Sequence, residues 1–277
     1  MEFEHFILTR FNVKSDAYSK DHFGENTLTD IWLKDRFDLF EKYCLPSIVN
    51  QSNKNFKWLV YFNKNMKEIF FEKISIICNG NDFLIPIYVN SMEHMYKRMK
   101  SDIVDNMEAT PNYLITTRLD NDDGLSRGYI AAIQDYFNYQ KYEFFNMDKG
   151  LLYDTKRNLL FEKYQSNNPF ISLIEKYNPN SFTTVWCSEH GKIENLGKVN
   201  NINKNYHWIQ IIHERNLSNT AIDKTLKPII LDNLYSIFGY KKEDISISLY
   251  FYMKRIFHYL GLRLWRRLLI KLIHIIY

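Results

Sequence analysis

The sequence predicts an α/β fold with a mostly parallel central sheet flanked by helices. Short runs of apolar and β-branched residues, typical of buried strands, alternate with segments of helical periodicity through the first half of the chain. Strands separated by helices pair in parallel, because each helix returns the chain to the edge where the previous strand began. The 277 residues, 45% hydrophobic and 25% charged, are enough for one large domain with a full core.

The elements of the first half follow in order along the chain. Strands are predicted at residues 5–13, 56–62 and 83–89 and from residue 112, with helices at 31–51, 66–78 and 92–107. Pro46 should kink or restart the first helix, since proline has no N–H for a bond to the preceding turn. Pro86 indicates that the third strand is an edge strand or an irregular one.

The second half predicts shorter and more varied elements. A helix at 129–139 is followed by strands at 142–147, 150–153 and 159–164, whose spacing suggests hairpins. A short helix is predicted at 169–177, and strands at 182–187 and 208–213. Because no repeat or linker marks a second domain, we expect one domain over residues 1–240 and a basic helical tail over 241–277.

The fourth strand runs into an acidic cluster formed by Asp120, Asp122 and Asp123. Side chains two apart on an extended chain share a face, so Asp120 and Asp122 repel each other unless a cation lies between them. A hard divalent cation with oxygen ligands suits such a pair. A plain Asp-rich turn ending at Gly124 is the alternative. An EF-hand loop is excluded, because Ala131 stands where that loop requires Glu.

The position of the cluster favours a ligand site over a turn. In parallel sheets, ligands bind beyond the carboxyl ends of the strands. The acidic cluster lies at that end of the fourth strand, and Thr9, Arg10 and Asn12 lie at that end of the first. Two separate strands therefore bring polar side chains to the same edge.

Charge and cysteine content argue against several other classes of protein. The net charge is only +4, and the basic excess gathers near the C-terminus, so we expect no nucleic-acid partner. Three widely separated cysteines form no metal-binding or disulfide pattern, which indicates reduced thiols in the cytoplasm. The acidic N-terminus is unlike a signal peptide, and no run reaches the roughly 20 apolar residues that span a bilayer.

Several segments carry a resemblance to a known family. They are residues 5–12 (HFILTRFN), 32 with 36–37, 45–48 with 51, 56–60 (FKWLV), 117–123 (TRLDNDD) and, more weakly, 208–213 (WIQIIH) with 216 and 218–219. In these segments the chain resembles the rhamnosyltransferase family of bacterial glycosyltransferases, which is similar to the wider GT-A nucleotide-sugar transferases. The resemblance spans residues 3–220 and leaves the tail uncovered.

The resemblance implies a GT-A-like fold that binds a divalent cation, Mn²⁺ or Mg²⁺. Asp122 would be its main ligand, Asp120 a second ligand or a contact of the donor ribose, and Asp123 a supporting residue. Such a cation neutralises the charge that develops on a departing diphosphate. His213 would complete the metal site, with His207 and His190 as its rivals.

The same resemblance implies residues for the donor and for the chemistry. The nucleotide pocket would be lined by Thr9, Arg10 and Asn12, and its phosphates bound by Arg118 and Arg98. Both of these arginines are equally suited to ion pairs with carboxylates. An inverting transferase also needs a carboxylate base for the acceptor hydroxyl. Glu189 is the first candidate, with Asp148 and Glu214 behind it, whereas a retaining enzyme needs no such base.

The tail has the pattern of an amphipathic helix. Its basic side chains lie on less than half of a helical wheel, and the other side is apolar. The basic residues are Arg263, Arg266, Arg267, Lys271 and His274. This pattern is typical of a helix lying on an anionic membrane surface, although a helix packed on the domain with solvated arginines has the same pattern.

Together these observations predict a metal-dependent glycosyltransferase. It would transfer a sugar, rhamnose by the family resemblance, from a nucleotide-sugar donor to a hydroxyl of a cell-surface polysaccharide or lipid-linked glycan precursor. We expect it in the cytoplasm, peripherally bound at the inner face of the membrane. The alternatives are a nucleotide- or glycan-binding protein without turnover, and a metal-dependent phosphoryl-transfer enzyme, which would want more carboxylates on neighbouring strand tips.

Overall fold

The computed structural model describes residues 2–14, 28–188, 190–214, 223, 225–241 and 243–276. Four strands alternate with helices in the first half of the chain, as predicted. The strands are β1 (Phe3–Arg10), β2 (Lys57–Asn63), β3 (Leu84–Val89) and β4 (Tyr113–Arg118). The helices between them are α1 (Asp30–Leu39), α2 (Leu45–Val49), α3 (Glu68–Cys78) and α4 (Met92–Asp105).

The second half contributes mostly strands. They are β5 (Gly124–Leu125), β6 (Tyr142–Met147), β7 (Lys149–Asp154), β8 (Leu159–Tyr164), β9 (Ser172–Lys176), β10 (Lys198–Ile202), β11 (Trp208–Ile212) and β12 (Pro228–Ile229). The helices here are α5 (Tyr129–Asp135), α6 (Leu234–Phe238) and α7 (Leu249–Ile276).

These strands form two sheets. The central sheet has the order β10-β6-β9-β4-β1-β2-β3, and the smaller one has the order β12-β8-β7-β11-β5. In the central sheet β9 runs antiparallel to both its neighbours, and all other pairs are parallel. The predicted α/β class with a mostly parallel central sheet is therefore confirmed.

The central strands are continuous apolar runs because both faces of the sheet are covered. Successive residues of β1 alternate between two cores: Ile7 belongs to one, and Phe6 and Leu8 to the other. Trp58 and Leu59 of β2 alternate in the same way. Buried parallel strands show this pattern, and it explains why their positions could be predicted from composition.

Both predictions that rest on proline are confirmed. The helix that begins at Asp30 passes through a π-helical segment, Phe40–Cys44, before α2 begins with Pro46 in its first turn. There the missing N–H costs least, because the first turn of a helix has no partner for it. Pro86 lies on β3, which is an edge strand of the central sheet.

Two predicted elements are wrong. The sequence predicts a helix at residues 169–177, but they contain β9, which pairs with β4 on one side and β6 on the other. It predicts a strand at residues 182–187, but the chain turns there into a short 3-10 helix, Val185–Cys187. The turn is made by Thr184, whose φ is +86°, and by Glu175, whose carboxylate accepts the N–H groups of Thr183 and Thr184 at 2.9 Å.

The tail helix begins against the smaller sheet. Phe251 and Tyr252 pack on a cluster that includes Leu152 and Phe161, and the Arg255 guanidinium donates to the Asp223 carbonyl at 2.7 Å. Across the described ranges, no helix combines the length and the apolar character that crossing a membrane requires. The division into a domain over 1–240 and a tail over 241–277 stays a prediction.

Candidate active site

The acidic loop between β4 and β5 lies where three parts of the chain meet. It follows the carboxyl end of β4, next to the carboxyl end of β1. Helix α1 approaches it from one side through Arg36, and the residues after β11 approach it from the other through His213. The predicted placement of a polar cluster at this edge of the sheet agrees with the structure.

Asp122 is the centre of the cluster. One oxygen, Oδ2, lies 2.6 Å from Nη1 of Arg36 and 3.1 Å from Nε2 of His213. The side chain is only 12% exposed. Burial alone would raise the pKa of this carboxyl, but the Arg36 guanidinium and the His213 ring hold it well below its usual range. Asp122 is therefore a buried carboxylate that stays ionised.

Arg36 also contacts a second side chain of the loop, that of Asn121. Its Nη1 lies 3.4 Å from Oδ1 of Asn121, and the Asn121 amide donates to the carbonyl of Phe11, just beyond β1. The guanidinium itself lies 4.8 Å from the centre of the Trp32 ring. Helix α1 and the end of β1 thus hold the acidic loop from both sides. Sequence reasoning gives Arg36 no role, although it belongs to the segments that carry the family resemblance.

Asp123 differs from its neighbour. It is almost wholly buried, and its Oδ1 accepts the N–H of Ile211 at 2.8 Å. Burial, together with the nearby carboxylates of Asp122 and Asp120, raises its pKa. This side chain ties the loop to β11, and its role as a supporting residue of the metal site stays a prediction.

Asp120 belongs to a second cluster, built around Trp186. The guanidinium of Arg118 lies 4.3 Å from the centre of the Trp186 ring and 3.7 Å from Oδ1 of Asp120. Arg10 reaches the same ring at 5.9 Å. The structure therefore brings the predicted residues Arg10, Arg118 and Asp120 together. Sequence reasoning misses Trp186, which stands in a segment predicted as a strand.

Thr9 and Asn12 do not line a pocket with their side chains. Thr9 is fully buried, and its Oγ1 accepts the Nε1–H of Trp58 at 2.8 Å. The Asn12 amide accepts the N–H of Asn63 at 2.9 Å and donates to the sulfur of Met66 at 3.0 Å. Both side chains are used within the protein, so their predicted contacts with the nucleotide are corrected.

Arg98 is also occupied elsewhere. It forms a two-pronged ion pair with Asp102, one turn further along α4, at 2.6 to 3.0 Å. Asp102 is 2% exposed, so this ion pair is part of the folded structure. Arg98 therefore has the alternative role considered above, an ion pair with a carboxylate. The predicted contact of Arg98 with phosphate is therefore corrected.

The candidate bases have different positions. Asp148 directly follows β6, at the same edge of the central sheet as Asp120, and accepts a bond from Asn146. Glu214 is exposed and pairs with Lys156 at 2.6 Å. Glu189 and the His190 side chain lie outside the described residues. His207 bonds Ser126 at 3.4 Å, and its burial lowers its pKa.

An open cavity of about 460 Å³ adjoins His213. Its lining includes Asp35, Asp38, Tyr43, Lys156 and Glu214. Carboxylates, a hydroxyl and an aromatic ring are groups that bind sugar hydroxyls and sugar faces. The cavity therefore places carbohydrate-compatible side chains beside the Asp122–His213 pair.

The oxygen of Asp122 and the ring nitrogen of His213 suit a metal ion whose other ligands come from a bound nucleotide and water. Within the ranges the structure describes, no three His, Cys, Asp or Glu side chains are arranged to hold a metal by themselves. Asp122 and His213 supply an oxygen and a nitrogen 3.1 Å apart, and Mn²⁺ accepts both donor types. Diphosphate oxygens and water would have to supply the remaining ligands, as is usual where Mg²⁺ binds with a nucleotide.

Residues 4–225 match a protein family described as "Putative rhamnosyl transferase". The chain belongs to this family. The resemblance predicted from the sequence is thereby confirmed, and its extent agrees with the predicted span. Among curated protein sequences, none matches the chain.

The solved structures that the chain resembles are remote from it in sequence. One is S. aureus TarS 1-349 in complex with UDP-GlcNAc, with 9% identity, a TM-score of 0.43, and coverage of 81% of this chain and 63% of that one. The chain thus spans less than two thirds of TarS 1-349. Another is the inositol-1-phosphate CTP transferase from T. maritima, with 10% identity, a TM-score of 0.34, and coverage of 92% and 97%.

Proposed function

We propose that this protein is a metal-dependent glycosyltransferase. It transfers a sugar, rhamnose being the first candidate by family, from a nucleotide-sugar donor to a hydroxyl of a cell-surface polysaccharide or lipid-linked glycan precursor. The observation that carries the proposal is the ionised, buried Asp122 with His213 at 3.1 Å, at the ligand-binding edge of a parallel sheet, in a member of this family.

The residues around Asp122 have separate tasks in this reaction. When bound, the divalent cation supplies positive charge next to the departing diphosphate. Arg118, which lies over the Trp186 ring, offers a guanidinium to phosphate oxygens, and Arg10 adds a second one. Asp120, with 29% of its side chain exposed, can accept hydrogen bonds from the donor ribose. Asp148, at the same sheet edge, is the candidate that we favour to take the proton of the acceptor hydroxyl.

A thermal-shift panel of nucleotide sugars, each with and without Mn²⁺, tests the proposal. A ligand that binds only the folded state raises the melting temperature by mass action, so the matching donor should produce a metal-dependent shift. Release of the nucleoside diphosphate in the presence of acceptor glycan then separates an enzyme from a protein that only binds. Absence of any donor-dependent shift across the panel would refute the proposal.

We also propose that the tail holds the enzyme at the cytoplasmic face of the membrane. The first half of α7 packs one side against the smaller sheet and exposes an apolar stripe on the other. The stripe consists of Leu249, Met253, Phe257, Leu260 and Leu264. Residues three and four apart share one helical face, so these side chains form a single surface.

The charges of the tail support the proposal that the exposed apolar stripe contacts an anionic lipid surface. No acidic residue follows Asp244, whereas Lys and Arg occur at 254, 255, 263, 266, 267 and 271. Two copies of the helix would repel each other, while anionic headgroups attract it at about 1 kcal/mol per basic residue near the surface. At this surface the enzyme would have access to lipid-linked acceptors.

Vesicle sedimentation tests the membrane proposal with a matched control. Phe257→Ser should reduce binding to vesicles that contain phosphatidylglycerol, whereas Ile76→Ser, at an equally exposed isoleucine on α3, should not. Two results would contradict the membrane proposal. One is that wild type binds neutral phosphatidylcholine vesicles as well as those that contain phosphatidylglycerol, and the other is that wild type forms a dimer that Phe257→Ser dissociates.

A further inference from the structure

The acidic loop carries its own counter-ions. Arg36 contacts Asp122 at 2.6 Å, and Arg118 lies 3.7 Å from Asp120. Arg36 is 5% exposed, is fixed against Trp32, and also contacts Asn121 in the same loop. It therefore stays with the loop, and each of the two carboxylates that face the site has an arginine beside it before any ligand binds.

This arrangement has a consequence for the order of binding. A divalent cation at Asp122 would lie within a few ångströms of the Arg36 guanidinium, and like charges at that distance repel strongly where water is largely excluded. A nucleoside diphosphate brings negative charge to the same place and balances both cations. Each ligand should then improve the binding of the other by the same factor.

We propose that Arg36 makes the site accept its divalent cation only together with a nucleoside diphosphate. The inference rests on the proposed function, since it concerns the metal and the donor of that same site. In this role Arg36 is a positioning residue: it sets the charge and the orientation of Asp122, and need not touch the donor. The enzyme is thereby protected from holding a bare metal ion that has no substrate to activate.

Equilibrium dialysis of the full chain against Mn²⁺ tests the proposal. Wild type should bind Mn²⁺ at least tenfold more tightly when UDP, dTDP or GDP, whichever matches the donor, is present. Arg36→Gln should bind Mn²⁺ alone about tenfold more tightly than wild type. A neighbouring arginine lowers the affinity of a carboxylate for a proton by about one to three log units, and it should weaken the binding of another cation, Mn²⁺, for the same electrostatic reason. Arg36→Lys keeps the charge and should behave as wild type does.

Arg98→Gln is the matched control, because it removes an arginine from another buried aspartate, Asp102 on α4, outside the site. It should leave Mn²⁺ binding unchanged. If Arg36→Gln does not fold, the wild-type titrations can still refute the inference, since equal Mn²⁺ affinity with and without nucleotide overturns it.

The outcomes separate this inference from the proposed function. Nucleotide-dependent Mn²⁺ binding that Arg36→Gln leaves unaltered would overturn the role of Arg36 alone. No Mn²⁺ binding under any condition would overturn the metal dependence in the proposed function, and this inference with it.

Discussion

Asp122 and Asp123 are neighbours in the chain, yet the structure predicts opposite effects for the same isosteric substitution. Asp122→Asn removes the charge that faces the Arg36 guanidinium at 2.6 Å. Asp123→Asn removes a charge that burial and two nearby carboxylates already disfavour, and it keeps the oxygen that accepts the Ile211 N–H. We therefore expect the first variant to be destabilised in metal-free buffer and the second to be neutral or more stable.

The size of the difference follows from the burial of the two groups. Removing one partner of a buried ion pair costs about 3–5 kcal/mol. The amide oxygen that Asp122→Asn introduces would keep one hydrogen bond from Arg36, worth about 1 kcal/mol, so the net loss for this variant is roughly 2–4 kcal/mol. Asp123→Asn should fall within about 1 kcal/mol of wild type or above it.

Urea unfolding in the presence of a chelator measures both variants. Equal m-values would show that only the stability of the folded state has changed. Comparable destabilisation by the two substitutions, or a neutral Asp122→Asn, would refute the division of roles between the two carboxylates. At pH 7, Asp122→Asn should also lose the Mn²⁺-dependent thermal shift.

The pH dependence and three further substitutions extend these predictions. The raised pKa of Asp123 means that wild type loses stability as the pH rises above the usual aspartate range, and Asp123→Asn should reduce that loss in unfolding curves measured across pH. Gly150→Ala should cost about 1–3 kcal/mol in the same assay, because the new Cβ would lie 2.1 Å from the Trp208 ring; a wild-type midpoint would contradict this. Glu175→Ala should cost about 1–3 kcal/mol, because it leaves buried N–H groups without an acceptor, and Glu175→Gln should cost less. Trp186→Ala should raise the KM for the donor, since Arg118 loses the ring on which it rests, and should also cost about 3–5 kcal/mol of stability, because Trp186 is buried in the core.

Much of the fold could be predicted because local sequence decides it. Strands β1, β2 and β4 are apolar runs buried on both faces, and their composition alone identifies them. The β9 segment could not be identified in this way. Its apolar residues fit a helical period as well as an extended one, and only its pairing with β4 and β6 decides between them.

The candidate site was predictable in its place but not in its contacts. Strand order was enough to bring Asp120, Asp122, Arg118 and Arg10 to one edge of the sheet. The contact of Arg36 with Asp122 joins residues that are 86 positions apart, and no periodicity or motif in a single sequence reports it. Arg98 shows the converse: its partner is only one helical turn away, so an ion pair at that spacing was foreseeable.

The acidic motif acquires its chemistry from what surrounds each carboxylate. Asp120 is partly exposed beside Arg118, Asp122 is buried but ionised between Arg36 and His213, and Asp123 is buried against a peptide N–H. A loop with three free negative charges would attract any cation and would destabilise the fold by repulsion. Because two charges are balanced and the third is disfavoured, the loop is close to neutral, and under our proposal it would bind a metal ion only when a ligand of opposite charge arrives with the metal. The spacing of aspartates in the sequence therefore predicts the site, while the arginines from α1 and β4 set the charge that a ligand would meet there.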